Sequence, residues 1–347
     1  MRIVFYVSGH GFGHATRDAE LMRTMGAVDP GVRFVVRTMV PAWLFARCPH
    51  VAAVQPLETD TGLVQIDSLR FDERETAVQA ARFYDTFDRR VTDEAAVLRS
   101  LDADLVIGDI PPLAFAAAER AAVPSIALGN FTWDWIYSAY DVFDTLAPTV
   151  VPVIQRAYGS LHLALRLPFH GGFEPMAGRV RDIPLIARRS RRDRRETRRL
   201  LGVLGNTPVV LTSFGGYGVA LPDARQFAGT AFTVLDIGQP VPHGLAYEDI
   251  VAAADVVISK PGYGIVSECI ANGTALLYTS RGRLREYDRF VEEMPRVLRC
   301  RHLTQEALHA GDWGDAIEAL LAQPAPAESP ATDGADVAAA AVFDVRR

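Results

Sequence analysis

Asp255-Val-Val-Ile-Ser259-Lys-Pro-Gly-Tyr-Gly264-Ile-Val-Ser-Glu268-Cys-Ile-Ala-Asn-Gly273 reads as a strand, a glycine turn and a helix. Val256, Val257 and Ile258 form a β-branched run suited to a parallel sheet that is buried on both faces. Gly262 and Gly264, on either side of Tyr263, let the backbone turn sharply and come close to a ligand. The helix that follows aims its free N–H groups and positive dipole end at the same point, which favours phosphate. Ser267 and Glu268 fall in its first turns, where a carboxylate can accept from two neighbouring hydroxyls, as on a ribose. Lys260, the only lysine of the chain, supplies a candidate cation within the turn. A plain strand-to-helix turn accounts for the pattern equally well: its glycines then serve packing, and Lys260 and Glu268 are solvated charges.

A chain of 347 residues has room for two domains of ordinary size, each with its own core. With 49% hydrophobic and 22% charged residues the composition is that of a soluble globular protein. The net charge of -6 argues against a general nucleic-acid binder, which would carry a basic surface. Cys48, Cys269 and Cys300 have neither metal nor redox spacing, and point to reduced thiols in a cytoplasmic protein. Met1 leads almost at once into Ile3-Val4-Phe5-Tyr6-Val7, too short for a signal peptide. No apolar run has transmembrane length, so membrane contact, if any, is expected to be peripheral. Internal repeats at solenoid or propeller periods are absent from the sequence.

Arg2 to Val7 reads as a buried first strand running into a second glycine loop, Gly9-His10-Gly11-Phe12-Gly13-His14, that opens a helix to about Gly26. Its spacing, Gly-x-Gly-x-Gly, is not the dinucleotide fingerprint, and no nicotinamide cofactor is expected. His14 is a candidate general base, since imidazole titrates near neutrality; it also suits a helix N-terminal residue bonded to backbone. A strand at Arg33–Arg37 completes a βαβ unit, residues 41–75 read as irregular, and Glu75 to Leu101 as helical. Leu105-Val106-Ile107-Gly108 is a buried strand that delivers Asp109 to the edge where open α/β sheets bind ligands. There Asp109 can orient an imidazole, or instead cap the helix expected over 113–122. After a strand at 123–128 comes the aromatic run Gly129-Asn130-Phe131-Thr132-Trp133-Asp134-Trp135-Ile136-Tyr137, read as a wall of the site through Asn130, Trp133 and Asp134.

The arginine run from Arg188 to Arg199 reads as a solvated basic helix on a second domain. That domain opens with a strand over Thr207–Thr212 and the glycine loop Ser213-Phe214-Gly215-Gly216-Tyr217-Gly218, followed by a strand over Val234–Ile237. A short helix at Tyr247–Val251 leads into the stretch quoted first. A strand at Ala275–Thr279 then runs into a polar segment that carries Glu286 and Asp288. The expected organisation is a Rossmann-like domain over 1–187, a second over 188–325, and a linker with a terminal helix over 326–347 that folds back on the first.

Two Rossmann-like halves facing each other across a cleft, each with a glycine loop at its ligand edge, resemble the GT-B architecture of nucleotide-sugar glycosyltransferases. Ala252-Ala-Ala-Asp-Val-Val-Ile-Ser259 and Val266-Ser267-Glu268 resemble the donor-binding segment of the peptidoglycan N-acetylglucosaminyltransferase family, where the glutamate of the triplet holds the nucleotide ribose. A closer resemblance is to the N-terminal, glycosyltransferase-like region of L-arabinokinases. Gly9 to Arg17, Asn130 to Tyr137, Phe214-Gly215-Gly216 and Gly262 to Glu268 all have counterparts there in the same order. Those proteins continue into a sugar kinase domain and this chain ends at Arg347, so arabinose phosphorylation is not expected of it.

The resemblance implies a metal-independent transferase with no cofactor, moving a sugar from a nucleoside diphosphate, expected to be UDP, to a hydroxyl acceptor. Backbone N–H groups of Ser213–Gly216 and Gly262–Gly264, with Lys260, would face the diphosphate, and Glu268 the ribose. Glu286 and Asp288 would bond the sugar, and His14 with Asp109 would take the acceptor proton. A sugar-nucleotide epimerase or hydrolase of the same fold, and a non-catalytic sugar-nucleotide-binding protein, are the alternatives.

Overall fold

The computed structural model describes residues 1–345 apart from 204, 206, 217, 228, 236–240 and 242–243. Its strands, in chain order, are β1 (Arg2–Val7), β2 (Arg33–Thr38), β3 (Val51–Pro56), β4 (Val64–Gln65), β5 (Phe71–Asp72), β6 (Leu105–Asp109), β7 (Ser125–Phe131), β8 (Leu163–Gly171) and β9 (Val180–Asp182). These are followed by β10 (Val209–Thr212), β11 (Thr233–Leu235), β12 (Val256–Ser259), β13 (Ala275–Tyr278) and β14 (Cys300–His302). Two compact units result. One comprises Met1–Ile66, Phe71–Ile186 and the chain from Ala331 on; the other comprises Asp67–Arg70 and Ala187–Pro330.

The first unit holds a sheet ordered β3-β2-β1-β6-β7-β8-β9, and every pairing in it is parallel. β6 and β7 are buried along their whole length, as strands covered by helices on both faces must be. Strand order reverses between β1 and β6, which pair from Ile3 with Leu105 to Val7 with Asp109. In an open α/β sheet the crevice beyond the strand ends at such a reversal is where ligands bind. The loop that leaves β1 there leads into the helix Phe12–Val28, which carries His14, and Asp109 ends β6 beside it. The helix Gly334–Asp344 packs on the helix Phe12–Val28.

The second unit holds a parallel sheet ordered β11-β10-β12-β13-β14. Its reversal lies between β10 and β12, so the loops beginning at Ser213 and Lys260 lie side by side. Ser213 N donates to Ile258 O at 3.0 Å, and Ser259 Oγ donates to Ser213 O at 2.5 Å. Leu69, from the segment Asp67–Arg70, joins the core formed by Val210, Phe214, Phe227, Ile258 and Trp313.

Several elements differ from the sequence expectation. Residues 41–75 contain the edge strand β3 and the β4–β5 hairpin. β3 lacks a run of buried residues because it sits at the sheet margin, which hides it from a reading based on buried runs. The expected helix over Glu75–Leu101 is two helices, Glu73–Asp85 and Phe87–Ser100, that meet at Thr86. β7 extends through Asn130 and Phe131, three residues beyond the expected strand end. Of the arginine run only Arg194–Leu200 is helical. It is not simply solvated: Arg194 and Arg198 both pair with Asp255, at 2.6 and 2.7 Å. Asp236 and Ile237 of the expected strand, and Tyr217 of the glycine loop, lie outside the described residues.

Candidate active site

In the first unit the helix Phe12–Val28 starts at Gly11, whose φ of 126° is open to glycine and strained for other residues. From this start His14, Arg17 and Asp18 follow at spacings of three and four, so they share one helix face, turned to the end of β6. His14 Nδ1 lies 2.8 Å from Asp109 Oδ1. Arg17 Nε donates to Asp109 Oδ2 at 2.5 Å, its NH2 donates to Oδ1, and its NH1 donates to Asn130 Oδ1 at 2.8 Å. Burial pushes the Asp109 carboxyl up, but Arg17 and His14 more than offset it and hold the carboxyl at about 2. An ionised Asp109 takes the Nδ1 proton of His14 as its hydrogen bond, which leaves Nε2 as the basic nitrogen. The helix-cap alternative for Asp109 falls away, because the next helix begins at Pro112 with Pro111 as its cap.

Asp18 is fully buried beside Asp109, and among the described residues neither of its oxygens finds a hydrogen-bond partner. Desolvation, then the Asp109 charge, raise its pKa well above the ordinary range, so Asp18 is the neutral member of a carboxyl pair.

His10 has a different setting. Its Nε2 lies 3.3 Å from Asp60 Oδ1, an oxygen that also accepts from Ser8 Oγ at 3.1 Å, while Asp60 Oδ2 accepts from Trp133 Nε1 at 2.8 Å. The ring packs on Gly62 so tightly that a Cβ there would stand 2.0 Å from it. His10 and Trp133 are therefore joined through Asp60, and His10 frames the loop. The aromatic run continues this frame: His14, Phe131, Trp133 and His10 meet edge to face, with ring centroids 5.0–5.9 Å apart. Asp134 is buried at 3.4 Å from Gln155 Nε2, and desolvation raises its pKa. Gly9 packs under Met39, and Gly13 accepts from Thr16 Oγ1 at 3.2 Å.

In the second unit the helix Tyr263–Asn272 opens at Gly262, which is in an extended conformation. Freedom of φ is thus not what Gly262 supplies. A Cβ added there, or at Gly215, would meet nothing within 4 Å, so both loops present bare backbone to open space. Phe214 is buried in the core while Gly215 and Gly216 are exposed. Ser68 Oγ donates to Phe214 O at 2.7 Å and fixes that turn. The Ser213 hydroxyl bonds the Tyr247 hydroxyl. Tyr263 is buried, and Ser267 turns back to Gly264 O at 3.0 Å, a bond internal to the helix.

Glu268 is buried on this helix, and Arg188 holds it: Nε donates to Oε1 at 2.7 Å and NH2 donates to the same oxygen. Arg188 NH1 lies 3.5 Å from Glu248 Oε2, and its guanidinium carbon sits 5.7 Å over the Tyr247 ring. Lys260 lies in a second charged group with Arg281, Glu286 and Asp67; burial, then Arg281, lower its pKa to about 7. Glu286 is buried and Asp288 is exposed, as befits residues two apart on one helix. Sequence reasoning assigned no role to Arg17, Asp18, Asp60, Arg188 or Tyr247. Arg17 alone carried a signal, its place in the Gly9–Arg17 motif.

No protein-family model matches the chain. It is 31% identical over 340 residues to an L-arabinokinase of Arabidopsis thaliana, in a match that covers 90% of this chain and 31% of that protein. The chain thus spans about a third of the length of the curated relative it matches. Among solved structures it matches the calicheamicin glycosyltransferase CalG4 with a TM-score of 0.60 at 18% identity, over 99% of this chain and 98% of that one. It has the GT-B fold. Phytolacca americana UGT2, solved with UDP-2fluoro-glucose and pterostilbene, matches this GT-B chain with a TM-score of 0.58 at 11% identity, over 99% and 94% of the two chains. MurG of Acinetobacter baumannii matches with a TM-score of 0.51 at 11% identity, over 99% of each GT-B chain. Among the described residues no helix is long and apolar enough to cross a membrane.

Proposed function

We propose that this GT-B protein is a glycosyltransferase that moves a sugar from a nucleoside diphosphate, with UDP the nucleotide expected, to a hydroxyl acceptor without a metal ion. The observation that carries the reading is the His14–Asp109 pair at the strand reversal of the first sheet, with Arg17 fixing the carboxylate. His14 Nε2 takes the acceptor proton as the hydroxyl oxygen attacks the anomeric carbon, and Asp109 stabilises the imidazolium that forms. The bond from the anomeric carbon to the diphosphate oxygen breaks, and the leaving group keeps the electron pair. Its charge is met by backbone N–H groups of the loop that follows Ser213 and of Gly262–Gly264, and by Lys260. Glu268 takes the ribose hydroxyls, and Glu286 bonds the transferred sugar. The three cysteines are free thiols, which suits a cytoplasmic setting.

Thermal shifts against UDP, GDP, TDP, ADP and their common sugars test the donor assignment, with Glu268→Ala as control. A nucleotide that binds the native state raises the melting temperature. Stabilisation by UDP and its sugars that Glu268→Ala abolishes is the expected result. No response to any nucleotide would overturn the assignment.

A further inference from the structure

We infer that Arg188 is the positioning residue that sets Glu268 for recognition of the donor's ribose. The inference rests on the donor reading above. Glu268 is 3% exposed, and a carboxylate so placed with no cation beside it takes up a proton and loses acceptor strength. Arg188 prevents this. Its Nε and NH2 both converge on Oε1, so the guanidinium grips a single oxygen and fixes the rotation of the carboxylate about its last bond.

The arginine is itself held from three sides. Glu248 Oε2 lies 3.5 Å from NH1, and the Tyr247 ring lies under the guanidinium. Tyr247 in turn bonds Ser213, so the ribose side and the phosphate side of the site share one chain of contacts. The backbone is tied to the helix that carries Glu268. Asn272 Nδ2 donates to Arg188 O at 3.0 Å, Ser190 N donates to Asn272 Oδ1 at 2.9 Å, and Arg189 Nε donates to Ala271 O at 2.9 Å. These bonds make Arg188 a pre-set part of the site, unlike the solvated charge that the arginine run suggested. A surface arginine would show none of them. The Glu268 and Glu248 carboxylates outweigh burial and raise the Arg188 pKa, so the guanidinium stays charged.

The test compares UDP with 2′-deoxy-UDP by calorimetry on the full chain. A carboxylate that accepts the 2′-hydroxyl should favour UDP by about tenfold or more in the wild type. In Arg188→Met that preference should collapse at pH 6 and return toward pH 9, as the unpaired Glu268 regains its charge. Arg188→Lys keeps the charge without the fork, so it should lose part of the preference and stay independent of pH. Glu268→Gln with Arg188→Met should be no worse than Glu268→Gln alone. An unmoved preference in both Arg188 variants overturns the inference while leaving the donor reading intact. A wild type that binds neither nucleotide overturns both. Should Arg188→Met fail to fold, the lysine variant carries the decision, since a wild-type preference there removes the role assigned to the fork.

Discussion

The Nδ1 of His14 lies 2.8 Å from Oδ1 of Asp109, a carboxylate that Arg17 grips on both oxygens. Two cationic or polarised donors therefore share one buried anion, which keeps Asp109 ionised and the imidazole in one orientation. General base catalysis by a group so held contributes about 10²–10⁴-fold to rate. His14→Ala is accordingly expected to lower kcat by about that factor, with nucleotide affinity unchanged, because His14 lies in the first unit and the proposed donor loops lie in the second. Steady-state kinetics paired with calorimetry measures both quantities. Full turnover in His14→Ala would remove the residue from the mechanism.

Asp18 contributes to stability with the opposite sign to a paired carboxylate. Its folded pKa is raised, so above about pH 4, where an unfolded aspartate ionises, the folded chain keeps a proton that the unfolded chain releases. Stability therefore falls as pH rises from there through the folded pKa. Asp18→Asn fills nearly the same volume and does not titrate. It should raise the melting temperature at pH 7 and flatten the pH dependence above pH 4. A variant that melts lower than wild type at pH 7, or keeps the wild-type slope, would contradict the assignment of Asp18 as the neutral acid.

Leu69 lies in the core of the second unit although the chain on either side of Asp67–Arg70 belongs to the first. Removing a buried leucine side chain costs about 2–5 kcal/mol, depending on how far the site collapses. Leu69→Ala should lower the unfolding midpoint accordingly. It should also weaken nucleotide binding, because the adjacent Ser68 holds the Phe214 carbonyl at the Ser213–Gly216 loop. Ile66→Ala is the control: that side chain is 59% exposed, and its loss should move the midpoint little. Equal effects from the two variants in urea unfolding would deny Leu69 its place in the core.

The parallel sheets were legible because β1, β6, β12 and β13 are runs of buried apolar residues, a pattern that only strands covered on both faces require. The glycine loops after β1 and β12 were legible for the same reason, since each follows such a run directly. Strand order was not, and it is strand order that makes the ends of β1 and β6, and of β10 and β12, into reversal points. The pairing of His14 with Asp109, 95 positions apart, was anticipated because each follows a strand that ends at the ligand edge. The partner of Glu268 was hidden by distance along the chain, since Arg188 lies 80 positions away. Periodicity reports which face of an element is buried and carries nothing about which distant charge meets it. Asp60 lay in a stretch without readable elements, and Arg188 lay inside a basic run whose composition suggested solvent.

With the donor diphosphate placed beside Lys260 as proposed, donor binding should depend on pH. Burial, then Arg281, lower its pKa to about 7, while Glu286 and Asp67 pull the other way. An unfolded lysine titrates near 10.4. Between about pH 7 and 10 the folded chain thus holds fewer protons than the unfolded one, so stability rises with pH across that window, and the cost of the buried charge is fully present below it. A diphosphate beside Lys260 favours the charged form. Above pH 7, where the terminal phosphate of UDP is already ionised, binding should therefore take up a proton, and affinity should fall by up to about tenfold per pH unit. Calorimetry of UDP binding at pH 7, 8 and 9, in two buffers of different ionisation enthalpy, reads both the affinity and the proton count. Lys260→Met should bind more weakly at pH 7, show no proton uptake, and melt higher than wild type at pH 6. Affinity that stays flat from pH 7 to 9 in the wild type, or an equal slope in the variant, would place the phosphates away from Lys260.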